Sequence, residues 1–374
     1  MIDNTPQKIL LVQLFSNGDC LYATAVARQI KSDFPQAHLT WAIAPFCAAI
    51  IANNPYVDAV LLVDDVPKSD VQAFRKKKKQ FLREEREGKW DRVFVTTNMD
   101  DNQRLYDGTI RGMILNAYPN PVKVPIEPVV ILSDQEKRSV ADFAAKYRLS
   151  SFSTVILWEY APQSGQAGFD FNLVKEVAIS LTRDPSVCII LSSSNKFEST
   201  SQIIDGSDLT VRENAGLTHY CNFMIGCSSG LTWLNTSSAA AFIPMLQLLN
   251  GYTPFFNPPS RDFERYGLPK EKLIELINWT PGKITECVQT IISSGFETAR
   301  QKYNEALPVQ FNTTRKVVYN MLCYMQFGAV REHYSIMKNK FGAHPELKKQ
   351  FLAAIFSFPF KLTRNTLKKK FRLN

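Results

Sequence analysis

Two successive runs of alternating apolar strands and amphipathic helices constrain this chain more than any other feature. The first opens with Ile9, Leu10, Leu11 and Val12, a continuous apolar run expected of a strand buried on both faces of a parallel sheet. From Leu21 to Ile30 the period becomes helical, with Leu21, Ala25, Val26 and Ile30 on one face, and Pro35 helps to end the helix. Strand 8–14 and helix 20–33 lead into "AHLTWAIA", a strand, and "PFCAAIIANN", a helix. "VDAVLLVD" then reads as a strand, 69–88 as a charged helix, "WDRVFVTT" as a strand and 103–116 as helical. "PVVILSD" leads to a linking helix at 134–147. Strands separated by helices mean βαβ units and a parallel sheet.

The alternation restarts at 154. "TVILWEY" is a strand, "APQSGQAGFDF" a loop, "NLVKEVAISLTRD" a helix and "VCIILSSS" a strand. A helix near 197–203, a short strand around "DLTV" and the helix "AGLTHYC" follow. "NFMIGCSS" is a strand with its loop, "GLTWLNTSSAA" a helix and "FIPMLQLL" the last strand, and beyond about 285 the chain reads as helical only. At 374 residues the chain exceeds one ordinary core. The expected architecture is α/β, two Rossmann-like doubly wound domains facing a cleft. The divisions fall at 1–148, 149–285 and a helical extension, 286–374, with a basic tail.

Charge matters only once it is located. The net charge is +9, but Glu346–Asn374 holds eight Lys/Arg and one acid, which leaves about +2 for the rest. The run "RKKKK" at 75–79 is mostly cancelled by "REEREGK" and reads as a solvated helix. A nucleic-acid binder could use the tail, yet the body is nearly neutral and carries no recognised motif. No segment reaches the roughly 18 uninterrupted apolar residues of a membrane span. The first residues show neither the basic start nor the apolar core of a signal peptide. Seven scattered cysteines, odd in number and never C-x-x-C, read as reduced thiols of a cytoplasmic protein. Four histidines far apart give no metal site.

Three loops at carboxyl ends of strands could carry chemistry, since ligands of open α/β sheets bind there. The first holds Asn17, Gly18 and Asp19; Asp19 is either a helix cap or a base that takes a proton from an attacking hydroxyl. The second, "EYAPQSGQAGF", offers Ser164, Gly165 and Gln166 as a phosphate cradle or merely as a turn. In the third, Cys227-Ser228-Ser229-Gly230 suits a pyrophosphate or ribose, with a helix cap as the bland reading. None matches G-x-G-x-x-G, G-x-x-x-x-G-K-[ST] or G-x-S-x-G.

"ILLVQLFSNGDCLYATAVARQIKSDFPQAHLTWAIAPFCAAIIANNPYVDAVLLVD" resembles the N-terminal domain of heptosyltransferase-type enzymes, glycosyltransferase family 9. The strand, the Gly-Asp loop, the second strand and the "Asn-Pro-x-Val-Asp" exit carry the likeness, and "LTHYCNFMIGCSSGLTWLNTSSAA" resembles the family's second signature. The resemblance spans about residues 8–250 and implies the GT-B architecture, acceptor on the first domain and nucleotide-sugar donor on the second. It implies Asp19 as catalytic base, with Asn17 and Gly18 beside the acceptor. Ser228, Ser229 and Gly230 fall on the donor-pyrophosphate loop, Ser164, Gly165 and Gln166 on the other donor loop, and Glu198 roughly on a ribose-binding Glu. The sequence departs at Ser228, where the family has Asp, and at Trp233, where it has His. Gln163, Ser164 and Gln166 stand where a phosphate-binding Lys is usual, so a nucleotide-sugar other than ADP-heptose is open.

The reading is an inverting sugar transfer in lipopolysaccharide or other surface-glycan assembly. It needs no cofactor beyond the nucleotide-sugar co-substrate. A saccharide or lipid-linked glycan would be the acceptor. The tail, residues 350–374, mixes Phe, Leu and Ile with Lys/Arg as a segment lying on an anionic inner-leaflet surface does; a packed helix with a frayed end is the alternative. Rival readings are a nucleotide-sugar epimerase of similar two-domain fold and a non-catalytic relative.

Overall fold

A computed structural model describes residues 6–371 except 162–169, 251–257, 306, 308 and 309, with side chains described as far as 358. Its first sheet is formed by β1 (Lys8–Val12), β2 (His38–Ile43), β3 (Ala59–Leu62) and β4 (Arg92–Val95), all parallel, in the order β3-β2-β1-β4. Between them run α1 (Asn17–Asp33), a 3₁₀ turn (Pro45–Ile51) where a full helix was expected, and α2 (Val71–Arg86). Strand period sorts the core: Ile9 and Leu11 face α1, whereas Leu10 and Val12 join Phe74 and Phe81 of α2 on the other side. The basic run of α2 is matched by carboxylates of the neighbouring loops, Lys77 to Asp65 and Lys78 to Asp101.

A 3₁₀ turn (Asp100–Leu105), α3 (Ile110–Leu115) and α4 (Asp134–Lys146) lead to the second sheet. Ser133 and Glu136 form a capping box that starts α4. The second sheet uses β5 (Thr154–Glu159), β6 (Val187–Ser192), β7 (Ile203–Asp205), β8 (Phe223–Gly226), β9 (Met245–Leu248) and β10 (Leu273–Leu276). All its pairings are parallel, in the order β10-β9-β8-β5-β6-β7. Its helices are α5 (Phe171–Leu181), α6 (Glu213–Leu217), α7 (Gly230–Leu234), α8 (Pro259–Tyr266), α9 (Pro281–Ser294) and α10 (Phe296–Tyr303). Both sheets are doubly wound as expected. Their order reverses between β1 and β4 in the first and between β5 and β8 in the second.

Three expectations are corrected. No helix forms at 197–203: Ser199 Oγ and Thr200 Oγ accept the N–H groups of Asp205 and Ile203, taking the backbone out of a helical path. The strand expected at "DLTV" lies earlier, at Ile203–Asp205. "FIPMLQLL" is not the last strand, because β10 pairs beside β9; Glu275 within it is buried and accepts the Ser260 N–H.

The two lobes share one apolar core that joins Leu11 and Tyr22 to Leu157, Cys188 and Trp233. At its heart Arg111 and Asp262 form an ion pair, Nη2 to Oδ1 3.0 Å and Nε to Oδ2 3.1 Å, with side chains 1% and 0% exposed. The division expected at 285/286 falls inside α9, whose Ile284, Cys287, Val288 and Ile291 make one face on the second sheet, and Tyr303 of α10 joins the same cluster. Only α11 (Asn312–Cys323), α12 (Phe327–Phe341) and α13 (Pro345–Phe371) leave that sheet. Phe311, Val318, Met337 and Phe351 bury themselves against Leu105, Tyr106 and Met113 of the first lobe. Among the described residues no helix is long and apolar enough to cross a membrane.

Candidate active site

The turn after β1 is built from buried side chains that spend their polar groups on backbone. Thr97 Oγ accepts the Leu14 N–H at 3.0 Å and donates to Val12 O at 3.1 Å. Gln13 is fully buried; its Nε2 donates to Phe15 O, its Oε1 accepts from Thr96 Oγ, and its carbonyl takes the Trp41 indole. So fixed, the chain turns at Ser16, whose φ of 48° lies in the left-handed region, and α1 begins at Asn17, three residues earlier than expected. Ser16 occupies the capping position. Asp19 is therefore not a cap but the third residue of the helix, where the partial positive charge of the N-terminus favours a carboxylate.

The Asp19 carboxyl accepts a hydrogen bond from Asn98 Nδ2 at 2.7 Å, across the reversal between β1 and β4. Surrounding protein raises its pKa to about 7, against the opposite pull of Lys68 and Asn98. A carboxyl near neutrality can accept a proton without being permanently spent.

The second lobe repeats this placement at its own reversal. Glu159 closes β5 and is 9% exposed. Beyond β8, Ser228 takes a φ of 57° and donates its N–H to Gln247 Oε1 at 2.7 Å. That turn swings Ser229 over β5, where its hydroxyl donates to Glu159 Oε2 and accepts the Leu231 N–H, capping α7. Burial raises the Glu159 pKa to about 7, only partly offset by Ser229.

The first turns of α1 and α7 meet at two glycines. A Cβ added to Gly230 would lie 3.4 Å from Asn17 Cβ and 3.5 Å from Gly18 N, in van der Waals contact with the facing lobe. Beside this contact lies a cleft of about 730 Å³. The first lobe lines it with Ser16, Asn17, Gly18, Phe46 and Lys68. The second contributes Glu159, Ser192, Ser193, Thr210, Asn214, Ser229 and Gly230 among others. Asn17 Oδ1 and Asn214 Oδ1, one from each lobe, are buried with no hydrogen-bond partner among the described residues. Phe46 is 57% exposed and stacks on Phe15, with ring centroids 6.2 Å apart.

Asn17, Gly18, Asp19, Ser229 and Gly230 are thus brought together, with Asp19 one residue behind the lining. Ser228 is buried beneath the turn. Glu198 is exposed and is not part of the cleft wall, because the strand that follows starts at Ile203 and leaves the 197–202 stretch as an outer loop. Ser164, Gly165 and Gln166 lie outside the described residues. Trp233 faces the shared core, packed on Tyr22 at 5.2 Å. Sequence reasoning missed Glu159, Lys68 and Asn98. Only Glu159 carried a signal, as a charged residue closing an apolar strand. Among the described residues no three His, Cys, Asp or Glu form a metal-binding group, and no two of the seven cysteines are joined in a disulfide.

No protein-family model matches the sequence, and no curated protein matches it. Solved structures do. A glycosyl transferase family 9 protein from Veillonella parvula superposes with a TM-score of 0.53 at 14% identity, over 79% of this chain and 94% of that one. The E. coli ADP-heptose lps heptosyltransferase II gives 0.51 at 18% identity, over 76% and 98%. The fold is that of the family 9 glycosyltransferases, GT-B. Its two doubly wound lobes place both carboxyls, Asp19 and Glu159, at the points where such sheets open to ligands.

Proposed function

We propose that this chain is an inverting glycosyltransferase that moves a sugar from a nucleotide-sugar to a saccharide hydroxyl. One observation carries the reading: the Asp19 carboxyl stands at the switch point of the first sheet, beside the cleft, oriented by Asn98 and brought near neutrality by burial. Asp19 takes the proton of the acceptor hydroxyl, whose oxygen attacks the anomeric carbon from the face opposite the departing nucleotide. The exposed ring of Phe46, on the same lobe, offers an apolar face for a sugar ring. Asn17 and Asn214 offer acceptor oxygens to sugar hydroxyls. The hydroxyl-rich wall of the second lobe is the donor side. The acceptor class we favour is a surface glycan, a reading supported by the likeness to the E. coli ADP-heptose lps heptosyltransferase II.

Nucleoside diphosphate release from a panel of nucleotide-sugars, with and without saccharide acceptors, tests the reading. Asp19→Asn should lower turnover by about 10²–10⁴-fold, the usual worth of a positioned base, with donor affinity little changed. Full activity in that variant would refute the assignment. An epimerase would return an altered nucleotide-sugar and consume no acceptor.

The tail fits a membrane-surface role for the same enzyme. On α13, Leu352, Ile355 and Phe356 share a solvent face, Phe356 being 70% exposed, and residues 359–374 hold six Lys/Arg and no acid. Each basic residue near anionic lipid contributes about 1 kcal/mol. Because Phe351 and Ala354 are buried, the informative truncation removes 359–374 only. Loss of flotation with phosphatidylserine vesicles is expected, and unchanged flotation would remove the idea.

A further inference from the structure

The cleft is poor in positive charge. Among the described residues that line it Lys68 is the one cation, and it belongs to the first lobe. The polar side chains on the wall of the second lobe are hydroxyls, one amide and the Glu159 carboxyl, set among apolar residues such as Leu209 and Val211. The stretch 162–169, which follows β5, contains no Lys, Arg or His in its sequence. Yet in the proposed transfer a phosphate oxygen gains negative charge as its bond to the sugar breaks, and preorganised donors must meet that charge.

Resting on that reading of function, we propose that Glu159, oriented by the Ser229 hydroxyl, is the acid that protonates the departing phosphate. Ser229 Oγ–H is committed to Glu159 Oε2, which leaves Oε1 as the oxygen that carries the proton. The acceptor oxygen forms its bond to the anomeric carbon while the bond to the phosphate oxygen breaks with its electron pair. The acceptor's proton ends on Asp19, and the Glu159 proton ends on the phosphate oxygen. Both carboxyls then exchange protons with solvent, and no further reactant is needed.

The surroundings of Glu159 support the role. Its register partner on β6 is Ser192, and the turn after β8 sets Cys227 and Ser229 against it. The Cys227 thiol is the titratable neighbour, held far up its own scale by burial and by the Glu159 charge, so it stays neutral. Lys68 and Asp19 belong to the facing lobe. With burial bringing its pKa to about 7, Glu159 keeps a proton through a large part of the neutral range. Two acids in one cleft with different companions are the usual way of dividing acid from base.

Two measurements on the full chain test this. Calorimetric binding of ADP, UDP, GDP and dTDP, in buffers of different ionisation enthalpy near pH 8, should show proton uptake by the wild type. Glu159→Gln should bind without that uptake. In turnover, the pH profile of kcat for the wild type should fall at high pH. Glu159→Gln should lose that falling limb and at least about 100-fold of kcat, the lower end of the worth of a positioned acid. The rising limb set by Asp19 should persist in it, and a thermal unfolding midpoint within a few degrees of the wild type would show that the variant is folded. A chain that binds no nucleotide overturns this proposal together with the transferase reading. A chain that binds and turns over, but without proton uptake or with Glu159→Gln unchanged, overturns this proposal alone.

Discussion

Asp19→Asn should damage turnover and strengthen the fold, and the second effect depends on pH in a way the structure sets. The folded state holds the Asp19 proton more tightly than the unfolded chain does, with a pKa of about 7 against 3.8. Between those values the native state binds more protons, so stability is lost as pH rises through that window and levels out above it. The cost integrates to a ceiling of about 2 kcal/mol at pH 5 and about 4 kcal/mol at pH 8. Asp19 keeps partial contact with solvent, which reduces both figures. The neutral amide escapes the cost, and its carbonyl oxygen can keep the bond from Asn98.

Urea unfolding of wild type and variant at pH 5 and pH 8 reads the effect directly. The variant should gain more at pH 8 than at pH 5, by at least about 1 kcal/mol. Other titrations cancel in the comparison. His333, buried and pushed down to about 4, contributes stability that is lost as pH falls below its ordinary value, equally in both proteins. An identical difference at the two pH values, with matching denaturant slopes, would refute the buried-carboxyl argument.

Asp262→Ala should destabilise the chain by about 3–5 kcal/mol, because it strands the Arg111 guanidinium in a dry site between the lobes. Chemical unfolding measures it, and a loss under about 1 kcal/mol would mean that water reaches the pair. Phe46→Ala should raise the acceptor KM about tenfold with kcat nearly unchanged, since the ring lines the cleft and carries no group that moves a proton. An unchanged KM would take the ring out of acceptor binding.

The sheets were legible because parallel strands buried on both faces announce themselves as short apolar runs. Ile9–Val12, Val155–Trp158 and Cys188–Leu191 all read correctly for that reason. β10 escaped because its four residues, Leu-Ile-Glu-Leu, put a carboxyl in the strand and follow Lys-Glu-Lys. The stretch 197–203 misled because its Ser and Thr hydroxyls bind nearby backbone instead of leaving it to a helix. Asp19 was visible from its loop, but its environment was not. Asn98 reaches it from 79 positions away, and Lys68 comes from another connection. Local sequence carries neither pairing. Trp233 shows the same limit: the sequence marked it only as a departure from the family's His, while its ring turns to Tyr22 and the shared core.

Duplicated topology gives both lobes an acid at the same kind of place, and burial against their companions leaves both at about 7. The companions themselves differ. Asn98 donates to Asp19 and Lys68 adds positive charge, both favouring the ionised form that accepts a proton. Glu159 has a hydroxyl for support and no cation on its own lobe's wall among the described residues. A bound diphosphate would open a gap between them, because a second negative charge beside Glu159 disfavours its ionisation while Lys68 still favours that of Asp19. Occupancy of the donor side would thus assign the roles, base to the first lobe and acid to the second, and the falling limb of the kcat profile would lie at higher pH than that of kcat/KM for the donor.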